Sequence, residues 1–191
     1  MKAKELAYGG LMIAALLSID FVFRVSFRDI QSYLEIPKTI IVAIFIHKMH
    51  GKHWLSYAVA CFLASLLFFS LPDTLIYNVP SIVCGCTLGL QNGDRSAIQR
   101  FTALMIVNFG MILFEMLMYG FFMQINLFAV YHSQIMLLLG EIYEGVISEG
   151  RILAGILLYY SFKAVTSAVM LFVPYRVVCR YVKRIGSGNC T

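Results

Sequence analysis

The stretch LAYGGLMIAALLSIDFVF, residues 6–23, decides the fold class of this chain. Asp20 is its single charged residue, and a helix needs about 20 mainly apolar residues to cross a bilayer. Similar runs recur along the chain. Of the 191 residues, 60% are hydrophobic and 13% are charged, and the mean hydropathy is +0.81. Because a soluble domain carries about 25% charged residues, the sequence predicts an integral membrane protein.

Six apolar stretches predict six transmembrane helices, and hence an all-α fold, in a single transmembrane domain, residues 1–191. The predicted spans lie at about 5–24, 37–50, 54–72, 74–91, 100–124 and 151–176. The second span is short, and Lys38 and Lys48 at its two ends are expected to extend toward the membrane surfaces. Pro80 lies inside the fourth span and predicts a kink there.

The distribution of basic residues predicts the orientation. With the amino terminus inside, ten Lys and Arg residues fall on the cytoplasmic side and four outside, while Lys163 lies within the last span. Both termini are therefore expected to be cytoplasmic. The same topology explains the net charge of +5 without a nucleic-acid partner. Two longer connections, 25–36 and 125–150, lie outside in this arrangement and either cover a pocket or rest on the lipid headgroups.

No set of residues predicts catalysis. The connections are too short for a separate soluble domain, and no Gly-rich phosphate loop is present. His47 and His50 share a helical spacing, but no neighbouring acid completes a metal site. Cysteines 61, 84 and 86 lie in apolar runs and are expected to be small buried hydrophobic residues. We predict no catalytic residue, metal or cofactor, so any ATP hydrolysis must come from another chain.

Small residues recur every three or four positions along the first predicted helix and therefore share one face. They are Ala3, Ala7, Gly10, Ala14 and Ser18. Small residues at this spacing let a second helix approach closely within a membrane. The face either packs inside the bundle or docks a separate membrane subunit. A similar stripe in the fourth span, Ser81, Gly85 and Gly89, is interpreted as packing within the bundle.

Polar residues within the spans are costly in lipid and usually face a cavity or each other. Glu115 in the fifth span and Lys163 in the sixth are expected at similar depth, with Asn108 on the same face as Glu115. Two interpretations remain open: these residues form the floor of a polar cavity, or they form a buried ion pair. Asp20 and Arg24, four residues apart, are interpreted as a local helix pair.

In size, in its six-helix layout and in its cytoplasmic termini, the chain resembles the substrate-binding S components of energy-coupling factor (ECF) vitamin transporters. Its Ala7-x-x-Gly10-x-x-x-Ala14-x-x-x-Ser18 pattern is similar to the Ala-x-x-x-Ala motif of their first helix. The resemblance implies that this face docks on a transmembrane T component, which is bound to two ATP-binding subunits. It also implies a substrate near the outer surface, under the loop between helices one and two, held mainly by helices four to six.

The resulting hypothesis is a binding subunit, in a prokaryotic cell membrane, of an ATP-driven importer for a small water-soluble nutrient such as a vitamin or its precursor. The candidate substrate contacts are polar and aromatic residues expected to face outward: Arg28, Tyr33, Tyr77, Asn78, Glu115, Tyr131, His132, Glu141, Glu144, Tyr159 and Lys163. The alternative is a non-catalytic scaffold subunit of a membrane complex that builds the cell wall or determines rod shape. Such a scaffold would have a partner-facing surface and no outer pocket.

Overall fold

The computed structural model describes residues 3–26, 35–49, 53–90, 96–124, 129–130, 133 and 149–187. Within these ranges the regular structure is helical throughout, which confirms the all-α prediction for this part of the chain. The helices are α1 (Ala3–Ser26), α2 (Glu35–Lys48), α3 (Trp54–Phe68), α4 (Leu71–Asp73), α5 (Val79–Leu90), α6 (Ala97–Met123) and α7 (Glu149–Ser187). Side chains are described for residues 5–22 of α1 and 154–181 of α7.

Three segments of the described chain are long and apolar enough to cross a membrane: Glu5–Val22, Ala97–Met123 and Ala154–Tyr181. The helix Trp54–Phe68 is apolar but shorter. The predicted third span extends too far, to residue 72, because the backbone becomes extended at Phe69 and Ser70 then caps α4. The last helix continues well beyond the predicted end at residue 176.

A π-helical turn, Thr74–Asn78, joins α4 to α5 two residues before Pro80, where the sequence predicts a kink. Proline has no backbone N–H, and its ring clashes with the carbonyl four residues earlier. The wider π turn directly before it, in which the Val79 N–H bonds to the Thr74 carbonyl, keeps the chain helical. The carbonyl oxygen of Tyr77 accepts a hydrogen bond from Lys38 Nζ at 3.2 Å.

Helices α2 and α5 form the centre of the bundle and pack very closely. A Cβ atom added at Gly85 would lie 2.6 Å from Val42 Cβ, and one added at Gly89 would lie 2.7 Å from the Ala43 carbonyl oxygen. Only residues without a side chain allow this approach of the two backbones. The prediction that the small-residue stripe of the fourth span packs within the bundle is confirmed.

Two groups of buried residues surround this central pair. Helices α1 and α3 contribute Met12, Leu16, Tyr57 and Cys61 to the first group. Helices α6 and α7 contribute Leu104, Ala168, Leu171 and Tyr175 to the second. Cys61, Cys84 and Cys86 are buried and free, so their predicted role as small hydrophobic residues is confirmed.

A buried ion pair joins α1 to α2. Lys38 is 1% exposed, and its Nζ atom donates to Asp20 Oδ1 at 2.8 Å and to Asn78 Oδ1 at 2.9 Å, in addition to the Tyr77 carbonyl. The expectation that Lys38 extends to the membrane surface is therefore wrong, because three acceptors satisfy its three donors inside the bundle. Asp20 pairs with Lys38, whereas the predicted partner Arg24 has its side chain outside the described residues.

The two faces of α1 differ in burial. Gly9, Met12, Leu16 and Asp20 are buried, and Gly9 lies directly against the ring of Tyr57, whose Oη donates to the Glu5 carbonyl at 2.8 Å. The other face carries Ala7, Gly10, Ala14 and Ser18, and all four are exposed. A Cβ atom added at Gly10 would have no atom within 4 Å. Among the described residues, this small face is therefore not used for packing within the bundle.

Candidate binding cavity

A cavity of about 220 Å³ lies between α2, α5, α6 and α7. Its wall combines three charged residues with hydroxyl, amide, thiol and aliphatic groups. The lining residues are Glu35, Ile36, Thr39, Pro80, Ser81, Cys84, Asn108, Glu115, Lys163, Thr166, Ser167, Met170 and Leu171. A mostly apolar pocket with a few convergent polar groups is the usual form of a small-molecule site.

Helical spacing brings the polar residues of α6 and α7 to the cavity. Asn108 and Glu115 are seven residues apart on α6 and so share a face. Asn108 is buried, and its Nδ2 donates to the Ala164 carbonyl at 3.1 Å, which fixes α6 against α7. On α7, Lys163, Thr166 and Ser167 are three and four residues apart and line the same cavity.

The charges of Glu35, Glu115 and Lys163 act on one another across the cavity. Glu35, in the first turn of α2, interacts electrostatically with Glu115 and with Lys163. Glu115 is half-buried, whereas Lys163 is exposed and so lies on the open side of the cavity. This exposure favours the cavity interpretation of Glu115 and Lys163 over a buried ion pair.

Two tyrosines lie beside the carboxylates. The hydroxyl oxygens of Tyr77 and Tyr119 are 2.9 Å apart, which joins the π turn to α6. Tyr119 follows Glu115 by one helical turn and interacts electrostatically with both Glu115 and Glu35. Tyr77 was predicted from the sequence as a substrate contact, whereas Tyr119 was not.

The structure places the other predicted contacts differently. Asn78 is fully buried, and its amide oxygen is used by Lys38. Tyr159 is 54% exposed, and its ring packs edge-on against Tyr160. The remaining predicted contacts lie outside the described residues: Arg28, Tyr33, Tyr131, His132, Glu141 and Glu144.

Several residues of the cavity were not predicted from the sequence. Glu35 is the most important of them, because it is one of the three charged residues of the cavity. Its sequence position gave no signal, since an acid in the first turn of a helix is usually explained by the helix dipole alone. Thr166 and Ser167 follow Lys163 at helical spacing, and that spacing was the available signal. Thr39 and Ser81 reach the cavity only because α2 and α5 pack so closely.

The arrangement is suited to binding and orienting a small polar molecule. Within the described residues, no three His, Cys, Asp or Glu side chains come together as metal ligands. Comparisons with protein-family models, with curated proteins and with solved structures found no match for this chain. The described part of the chain is an all-helical bundle with three helices long and apolar enough to cross a membrane, and with a cavity between its helices that is lined by both polar and apolar groups.

Proposed function

We propose that this protein is the substrate-binding membrane subunit of an ATP-driven importer of the ECF type. Its ligand is a small water-soluble nutrient, a vitamin or a related precursor, and ATP hydrolysis belongs to partner subunits. The observation that carries this proposal is the cavity of about 220 Å³ with Glu35, Glu115 and Lys163 on its wall. Ionisable groups within a membrane bundle are expensive and mark substrate pathways.

The position of the cavity agrees with capture from outside the cell. Glu115 precedes the end of α6 at Met123 by eight residues, roughly 12 Å at about 1.5 Å per residue. In the predicted orientation, with both termini cytoplasmic, this end of α6 faces the exterior. A nutrient in the cavity would then lie in the outer half of the membrane.

The exposed small face of α1 supports the second part of the proposal. Ala7, Gly10, Ala14 and Ser18 lie on the side of α1 that faces away from the bundle, and in lipid such a face favours close packing with another helix. We assign this face to the transmembrane T component, which would connect the binding subunit to two ATP-binding subunits. The cavity and the docking face use different helices, so binding and docking can be separated by mutation.

The first prediction is that the purified protein binds a water-soluble nutrient. Native mass spectrometry of protein extracted in mild detergent should show a bound small molecule, and a vitamin panel measured by isothermal titration calorimetry should include a ligand that binds. The alternative function, a non-catalytic scaffold of a cell-wall or rod-shape complex, requires no such ligand. Absence of binding across the panel would favour the scaffold and contradict the proposal.

The second prediction separates docking from binding. The double variant Gly10→Leu with Ala14→Leu should abolish nutrient uptake by cells of the source organism, because bulky side chains prevent close helix packing. Ligand binding by the isolated variant should remain unchanged, since neither residue lines the cavity. Gly110→Leu is the matched control, because Gly110 is also exposed, on α6, with no atom within 4 Å of an added Cβ. Equal uptake by the double variant and wild type would refute the assignment of the docking face.

A further inference from the structure

The charges on the cavity wall do not balance. Among the described residues that line the cavity, Glu35 and Glu115 are acidic and Lys163 is basic, a formal excess of one negative charge. Lys38 lies nearby, but its ammonium group is paired with Asp20 and hydrogen-bonded to Asn78 and Tyr77. Lys38 also attracts Glu35, but it carries the charge of Asp20 as well, so the two lysines and the three acids together keep a formal excess of one negative charge.

The two acids on the cavity wall, Glu35 and Glu115, affect each other. Each of the two carboxylates lies in the field of the other, and the two like charges repel. Lys163 attracts both, but a single ammonium group cannot neutralise two carboxylates. A positive group placed between Glu35 and Glu115 would replace this repulsion with two attractive interactions. Charge-assisted hydrogen bonds of this kind are about twice as strong as neutral ones.

We propose that the ligand of this cavity carries a positive charge, as an amine or a cationic ring, which binds between Glu35 and Glu115. This inference rests on the proposed function and specifies its substrate class. The volume of about 220 Å³ is below the roughly 300–1,000 Å³ of pockets for drug-sized molecules, so the ligand is small.

The test uses matched probes and isosteric variants of the full chain in detergent. Pyridoxamine and pyridoxine differ only in an amine against a hydroxyl group, and thiamine, riboflavin, biotin and pantothenate extend the panel to cationic, neutral and anionic vitamins. Calorimetry with the wild type should show binding of a cationic member and, for the pyridoxamine–pyridoxine pair, a preference for the amine. Glu115→Gln and Glu35→Gln should each weaken that binding about 10- to 100-fold, the loss expected for one charged hydrogen bond.

Glu5→Gln is the control, because it removes one carboxylate from α1 without changing the cavity. It should bind the cationic probe as tightly as the wild type, and the thermal unfolding of all three variants shows whether each is folded. Tight binding of a neutral or anionic vitamin, with the cationic ones excluded, would overturn the charge inference and leave the proposed function intact. Unchanged affinity of folded Glu115→Gln and Glu35→Gln for a cationic ligand would also overturn it. Absence of binding by every probe would overturn both.

Discussion

Replacing Lys38 with methionine is expected to lower the free energy of unfolding by about 3–5 kcal/mol, the cost of breaking a buried ion pair by removing one partner. The substitution keeps an unbranched side chain, one atom shorter, but leaves the Asp20 carboxylate, 3% exposed, without the Lys38 ammonium group. It also removes the donor to the Asn78 amide oxygen. Unfolding in detergent, followed by the helical circular dichroism signal, measures the loss.

Lys48→Met is the matched control on the same helix. Lys48 is exposed at the other end of α2, and its Nζ lies 5.7 Å from the centre of the Tyr8 ring, an interaction worth about 0.5–1 kcal/mol. The double variant Asp20→Leu with Lys38→Met should be more stable than either single variant, because it leaves no unpaired buried charge. If Lys38→Met costs no more than Lys48→Met, the ion pair does not hold α1 to α2.

Gly85→Ala is expected to destabilise the bundle by about 1–3 kcal/mol, the usual cost of forcing a methyl group into a closely packed interface. The new Cβ would lie 2.6 Å from Val42 Cβ and 2.8 Å from the backbone carbonyl oxygen of Thr39. A backbone oxygen cannot rotate away as a side chain can, so α2 and α5 must move apart. Thermal unfolding in detergent should show a lower midpoint for this variant than for the wild type.

The same substitution at Gly110 separates packing from helix propensity. Gly110 lies in α6 with no atom within 4 Å of an added Cβ, so Gly110→Ala should leave stability unchanged or raise it by up to about 1 kcal/mol. Equal effects at Gly85 and Gly110 would contradict the close α2–α5 contact. Gly85→Ala should also weaken ligand binding, because moving α2 and α5 apart shifts Thr39 and Ser81, which line the cavity from these two helices.

Local sequence pattern was sufficient to predict some of the candidate site. Glu115 and Lys163 stand out as ionisable residues inside apolar runs, and the cost of charge in lipid predicts that they face a cavity or each other. The small face of α1 was likewise visible as a repeat. The repeat of small residues could not tell an exposed face from a packed one: the stripe of α1 is exposed, whereas the similar stripe of α5 packs closely against α2.

The role of Lys38 shows why contacts between residues far apart in the sequence could not be predicted. A lysine at the end of a short apolar helix is normally expected to reach the surface, and Asp20 has a nearer candidate partner in sequence, Arg24. The ion pair between Asp20 and Lys38 joins residues 18 positions apart. The same Lys38 ammonium group also donates to Asn78, which lies 40 positions further along the chain. No local pattern contains that information.

The sequence by itself determined that this chain is helical and belongs in a membrane, because hydrophobicity and its helical period depend only on composition and spacing. It also determined which helix faces carry small residues. Tertiary structure alone decided which of those faces is buried. It also decided that Glu35, Glu115 and Lys163 line one cavity and that Lys38 forms an ion pair with Asp20. These outcomes depend on how α2 and α5 approach each other, and the distances between charges on separate helices are set only when the helices pack.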